Sequence, residues 1–169
     1  MGDAAAALRH AQSAAETFRK LGFSHSLAGT LRIIGRVHAA LGDVDAARRA
    51  LFDGLIEQRR ANQDKPLPGL LEAIAGMYPA APVAPQLLGS AAALREQWNV
   101  AIFPAERAEY ERWHAAVRAK HAGTDFDRAV AAGRMLSRDE AIQGALPLLQ
   151  DIGSAADEGG RPAGSKRPA

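Results

Sequence analysis

The stretch LRIIGRVHAALGDVDAARRAL, residues 31–51, holds the end of one helix, a turn and the start of another. Leu31, Ile34, Val37 and Leu41 recur at three- and four-residue steps, the period that gathers side chains on one helical stripe. Gly42 closes that helix, because glycine accepts a left-handed backbone without steric cost, and Asp43 can accept from the free N–H groups that open the next one. Ala47, Ala50, Leu51 and Leu55 then repeat the spacing. So short a turn leaves only an antiparallel hairpin, with helices over about 26–41 and 44–61.

Within the hairpin, Leu31, Ile34, Gly35, His38, Ala47 and Leu51 stand at the offsets of the W-x2-L-G-x2-Y and A-x3-F pattern, and the hairpin resembles one tetratricopeptide (TPR) repeat. Gly35 and Ala47 are small where two helices approach, while Leu31, Ile34 and Leu51 fill the groove between them and a neighbouring repeat. His38 replaces the tyrosine, and Arg59 stands where proline usually ends the second helix. One pair cannot bury its own second face, so neighbours are required. ETFRKLGF at 16–23 and EQRRANQD at 57–64 have the character of equivalent closing turns, with Asn62 where Gly22 stands. A worn third unit shows Leu71, Ile74 and Tyr78 in its first helix and Leu87, Leu88 and Ala91 in its second.

Working outward, Ala7, Leu8, Ala11, Ala15 and Phe18 stripe a first helix over 3–21, capped by Gly22. Prolines between Lys65 and Pro68 break the chain and start a fourth helix. A fifth spans about 85–98 and a sixth about 104–121. Thr124 is the expected cap of a short helix through Phe126 and Val130, and Ser137 with Glu140 forms a capping box for a last one, which Pro147 should end or kink. From about residue 151 onward glycine, alanine, proline, serine and charges cannot bury enough apolar area to offset ordering. The expected organisation is a helical-repeat domain over 1–150 and a disordered tail over 151–169.

Composition agrees with an all-α chain, and the resemblance to TPR repeats implies a right-handed α-α superhelix of about three helix pairs with a helical C-terminal cap. Alanine dominates and aromatics make up 5% of 169 residues. The formal net charge of +2 is spread among both signs and gives little pull toward nucleic acid or a membrane surface. No apolar run approaches the roughly 18 residues of a membrane span, and Ala6 stands where an N-myristoylation motif needs Ser or Thr. The absence of cysteine excludes disulfides, thiolate catalysis and cysteine metal sites, and points to a reducing, cytoplasmic setting.

FRKLGF (18–23), LGDVDAARRAL (41–51), QLLGSAAALREQW (86–98), PAERAEYERWHAAVRA (104–119) and GRMLSRDEAI (133–142) follow one another along the chain. In this order they resemble the C-terminal TPR-like region of large bacterial signalling ATPases and of LuxR-type or cyclase-linked transcriptional regulators. The resemblance implies a sensing or protein-binding arm that follows a nucleotide-binding motor. No G-x4-G-K-[ST] loop and no recognisable helix-turn-helix reader occurs in the sequence, so neither ATP hydrolysis nor DNA reading carries over.

Catalytic chemistry finds no foothold, and the expectation is a binding protein without cofactor or metal. His10, His25, His38, His114 and His121 lack H-E-x-x-H spacing, although His114 and His121 can share a helix face. Glu106, Glu109 and Glu111 mix with Arg107 and Arg112 at ion-pair spacing on one helix. Gly89-Ser90 falls inside a helix rather than at a strand-to-helix elbow. Arg95 with Trp98, and Tyr110 with Trp113, read as core or capping groups rather than as a stacking platform for nucleic acid.

Arg32 and Arg36 form the sharper candidate, one turn apart and off the Leu31, Ile34 stripe. The first helix of each pair lines the concave face of a TPR superhelix, where two cations can hold a carboxylate or an acidic peptide. The rival is a small-molecule effector bound inside the superhelix. Helix one resembles the second helix of a repeat whose first is absent, so its edge around Ala7, Leu8, Ala11 and Phe18 is a candidate surface for a homodimer.

Overall fold

The computed structural model describes residues 2–61, 65–121 and 123–150, and among them the chain is all helix and turn. The helices are α1 (Gly2–Leu21), α2 (Ser24–Ala40), α3 (Val44–Arg60), α4 (Leu67–Met77), α5 (Ala84–Trp98), α6 (Pro104–Lys120), α7 (Gly123–Arg134) and α8 (Arg138–Gln150). Asn62 and the 151–169 tail lie outside the described residues.

Local chemistry sets most of these ends. Gly22 and Gly42 take φ of 71° and 81° after α1 and α2, and Asn99 takes φ 51° after α5, where the Val100 N–H donates back to the Arg95 carbonyl at 2.9 Å. The Asp43 carboxylate accepts from the Ala46 N–H at 3.0 Å and opens α3. At the start of α8 the Ser137 N–H donates to Glu140 at 2.8 Å while the Glu140 N–H donates to the Ser137 hydroxyl at 3.3 Å, a reciprocal capping box. Two expected boundaries move. α7 begins at Gly123, so Thr124 lies inside the helix rather than capping it. α8 continues through Pro147 to Gln150, because a proline this close to a helix end costs few backbone bonds.

α2 pairs with α3 and α4 with α5, and α1 lies along α2. α6 packs on α4 and α7 on α5. α8 returns across α3, α4 and α5, although in an open stack of repeats each unit touches only its neighbours. The C-terminal helix therefore closes one side of the stack instead of lengthening it.

The main core joins Leu51 and Leu55 of α3, Leu67, Leu70, Leu71 and Ile74 of α4, Leu87 and Leu88 of α5, Val117, Phe126, and Ile142 and Leu149 of α8. Each fully buried leucine stabilises by about 1.5–3 kcal/mol relative to exposure. A second cluster of Ala15, Leu27, Leu31, Ile34 and Ala50 has Leu8, Ala11 and Phe18 half-buried against it, so α2 covers the α1 stripe only in part and leaves Ala7 exposed. At the α5–α7 crossing, a Cβ on Gly89 would lie 2.1 Å from the Val130 oxygen and one on Gly133 2.0 Å from the Gln86 oxygen. The Ser90 hydroxyl donates to the Gly133 carbonyl at 2.8 Å, which gives Gly89-Ser90 a packing role.

Candidate functional site

α2, α4 and α6 share a face on which several largely buried charged side chains meet. Arg32 and Arg36 project from α2 at one-turn spacing, each four-fifths or more buried at the side chain. They meet α6. Arg32 Nη2 lies 3.0 Å and Arg36 Nη1 2.6 Å from the same Glu106 oxygen, and the other Arg36 nitrogen closes on Glu109. Two guanidinium groups thus clasp two carboxylates of a helix 70 or more residues away in sequence. Charge-assisted bonds of this kind are about twice as strong as neutral ones.

α4 provides the bed. Gly69 and Gly76 are two turns apart and share one face of α4 with Glu72 between them, Gly69 toward Arg32 of α2 and Gly76 toward Trp113 of α6. A Cβ on Gly69 would stand 2.9 Å from Arg32 Cδ, and one on Gly76 2.2 Å from Trp113 Cδ1. The missing side chains let the Arg32 stem and the Trp113 indole lie directly on the α4 backbone. Glu72 is 3% exposed and receives Arg95 Nε and Nη2, each at 2.7 Å on its own carboxylate oxygen. Arg95 Nη1 also reaches the carbonyls of Val100 and Ala101 at 3.2 and 3.3 Å, pinning the loop that leads into α6.

Electrostatics follows depth. Burial pushes the Glu72 carboxyl above its usual range despite the two bonds from Arg95. Burial would also raise Glu106, but Arg32 and then Arg36 outweigh it and hold that carboxyl below the usual range. The His114 imidazole is held below its usual value by burial and then by Arg118 and Arg95, and its ring lies 4.2 Å from that of Tyr110.

Beside the clasp is a cleft of about 220 Å³ whose lining includes Gly35, Ala39, Ala73, Met77 and Trp113 together with Arg36, Glu109 and the exposed Arg112. The Arg36 guanidinium stands 5.8 Å from the Trp113 ring centroid. An aromatic wall and cationic groups around small residues suit a flat or aliphatic group that carries a carboxylate.

Arg32 and Arg36 stand one turn apart on α2, and their charge is met by Glu106 and Glu109 of the same chain. Glu106 and Glu109 pair across to α2 rather than with Arg107 and Arg112 along their own helix, because the buried partners offer the lower-dielectric contact. Leu31, Ile34, Ala47 and Leu51 are buried and His38 half-buried, with its Nδ1 3.3 Å from Asp43. A Cβ on Gly35 would meet Leu51 Cγ at 2.8 Å. His114 and His121 are engaged separately, His121 Nε2 lying 3.0 Å from the Pro79 oxygen. Among the described residues no three His, Asp or Glu side chains gather as a metal would require. Sequence reasoning missed Gly69, Glu72 and Gly76, although their i, i+3, i+7 spacing on an otherwise apolar helix marks one face for something other than aliphatic packing.

This chain is similar to part of a group of mycobacterial transcriptional regulators. It is 35% identical over 146 residues to proteins named as HTH-type transcriptional regulators in Mycobacterium bovis and in two strains of Mycobacterium tuberculosis. The match covers 83% of this chain and 16% of each relative, so the chain spans about one sixth of their length. It supports the transcriptional-regulator part of the resemblance read from the sequence. No family model matches the chain, and no solved structure matches it. Among the described residues no helix is long and apolar enough to cross a membrane.

Proposed function

We propose that this chain is a regulatory arm of a transcriptional regulator, built of TPR-like helix pairs, and that it binds an acidic segment of a protein partner on the α2–α4–α6 face. The match to regulators supports the regulatory role. The observation that carries the binding role is the convergence of Arg32 and Arg36 on carboxylates, on a face where both guanidinium groups are largely withdrawn from water. A guanidinium pair so placed recognises carboxylates in a defined position. A partner that binds the purified chain should lose at least about tenfold in affinity on Arg32→Glu with Arg36→Glu. Unchanged binding by the folded double variant would remove the face from the account.

A second reading is favoured by the cleft beside Trp113, whose aromatic wall and nearby Arg36 and Arg112 offer contacts for a small carboxylate effector. It predicts ligand-dependent melting of the chain in the absence of any protein partner, lost on Trp113→Ala.

A further inference from the structure

α6 already lies on this face in the way a ligand would. Of its 17 residues only Val117 is fully buried, against nine of the 11 residues of α4 beneath it. Tyr110 and His114 are half-buried and Arg118 lies over the Phe126 ring, and beside them the hold of α6 is made by Glu106 and Glu109 on the two arginines, Trp113 on the bare backbone at Gly76, and Val117 in the core. Glu106, Glu109, Trp113 and Val117 fall at i, i+3, i+7 and i+11, one stripe of a helix. The exposed positions of α6 mix charged side chains such as Arg107, Glu111 and Arg112 with alanines. With one fully buried residue in 17, α6 has less of itself in the core than α4 and is expected to open at lower cost than α4 does. Arg95 fixes the loop before it through the carbonyls of Val100 and Ala101, so α6 can leave the face while that loop stays anchored.

We propose that the partner of this face is an acidic amphipathic helix, with carboxylates at i and i+3 and an aromatic at i+7, that takes the place of α6. The inference rests on reading the face as a docking surface and adds the shape of the partner and its competition with the chain's own helix. The argument is the seated geometry of α6 itself. Arg32 and Arg36 supply the complementary charge, Gly69 leaves room for the Arg32 stem, and Gly76 leaves bare backbone for one flat aromatic of the docked helix. Because α6 is tethered, it competes at an effective concentration of the order of millimolar. A partner therefore gains when the clasp is loosened.

The test is a titration of a labelled peptide of residues 103–121 onto the full chain, followed by fluorescence anisotropy at low salt. It is run on the natural chain and on Glu106→Gln with Glu109→Gln. The loosened variant should bind the peptide about tenfold more tightly or better, and a peptide with both glutamates changed to lysine should not bind. Equal affinity for the two chains, or equal binding of the lysine peptide, would overturn the inference. A glutamate-rich peptide interrupted by glycine and proline separates the two levels of the account. If it binds the variant as well as the helical peptide does, the helical partner is refuted while the acidic-segment reading stands. If neither peptide binds, both fall. Should the double variant lose its helical circular dichroism, Trp113→Ala frees α6 without altering charge and carries the same expectations.

Discussion

Replacing Arg95 with alanine strands the carboxylate of Glu72, a group 3% exposed that receives two N–H bonds of 2.7 Å from that one guanidinium. Removing one partner of a buried pair costs about 3–5 kcal/mol, because the remaining charge is left without compensation. The bonds from Arg95 to Val100 and Ala101, at 3.2 and 3.3 Å, add at most about 1 kcal/mol each. A loss of about 4 kcal/mol in a domain of this size lowers the melting temperature by roughly 8–16 °C. The effect depends on pH in a fixed sense. Burial already holds Glu72 above its ordinary value, and without Arg95 it rises further. A carboxyl raised on folding destabilises nothing below its unfolded value, and its cost grows as pH climbs through the window up to the folded value. Arg95→Ala should therefore be most damaging at neutral pH and should recover at acid pH, as Glu72 takes up a proton. Adding Glu72→Leu removes the stranded charge and should restore most of the stability at neutral pH. Thermal melts by far-UV circular dichroism at the two pH values measure all of this. An Arg95→Ala melt within about 1 kcal/mol of the natural chain, or a double variant as unstable as the single one, would refute the reasoning.

Other perturbations probe α6 and α1. Gly76→Ala places a Cβ 2.2 Å from Trp113 Cδ1, so the indole must leave its bed. The expected outcome is a loss of about 1–3 kcal/mol with a red shift of tryptophan emission, and an unshifted spectrum would contradict it. Glu106 is lowered because Arg32 and Arg36 outweigh burial, so the stabilisation it brings is complete above the ordinary carboxylate value and is lost as pH falls through its lower folded value. Acid should accordingly loosen α6 before the core, seen as a change in tryptophan emission ahead of the loss of helical dichroism, whereas coincident transitions would count against the clasp. Self-association through the half-covered stripe of Leu8, Ala11 and Phe18 predicts a mass that rises toward a dimer with concentration. A strictly monomeric mass by light scattering at high concentration would rule it out.

The elements were legible where their information is local. Gly22, Gly42, Asp43 and the Ser137–Glu140 box mark helix ends within four residues of the bonds they make, so the pattern alone places them. The hairpin of α2 and α3 was equally plain, since a turn this short leaves one geometry. Arg32 and Arg36 stood out by their position off an apolar stripe, but their partners could not be read. Glu106 is 70 and 74 positions distant, and its own helix offers nearer cations at suitable spacing. The return of α8 onto α3 was hidden for the same reason: its apolar face is compatible with either neighbour, and tertiary packing makes the choice. Glu72 went unread because the group that neutralises it, Arg95, lies 23 positions on, on another helix.

The central claim is that Arg32 and Arg36 make the α2–α4–α6 face a receptor for carboxylates on a partner. Anisotropy titration of an acidic helical peptide, and of its lysine-reversed counterpart, onto the clasp-loosened chain and onto the same chain with Arg32→Glu and Arg36→Glu tests it most directly. The account predicts that the charge change abolishes binding of the acidic peptide and creates binding of the reversed one. Equal affinity of the acidic peptide for both folded chains would contradict it.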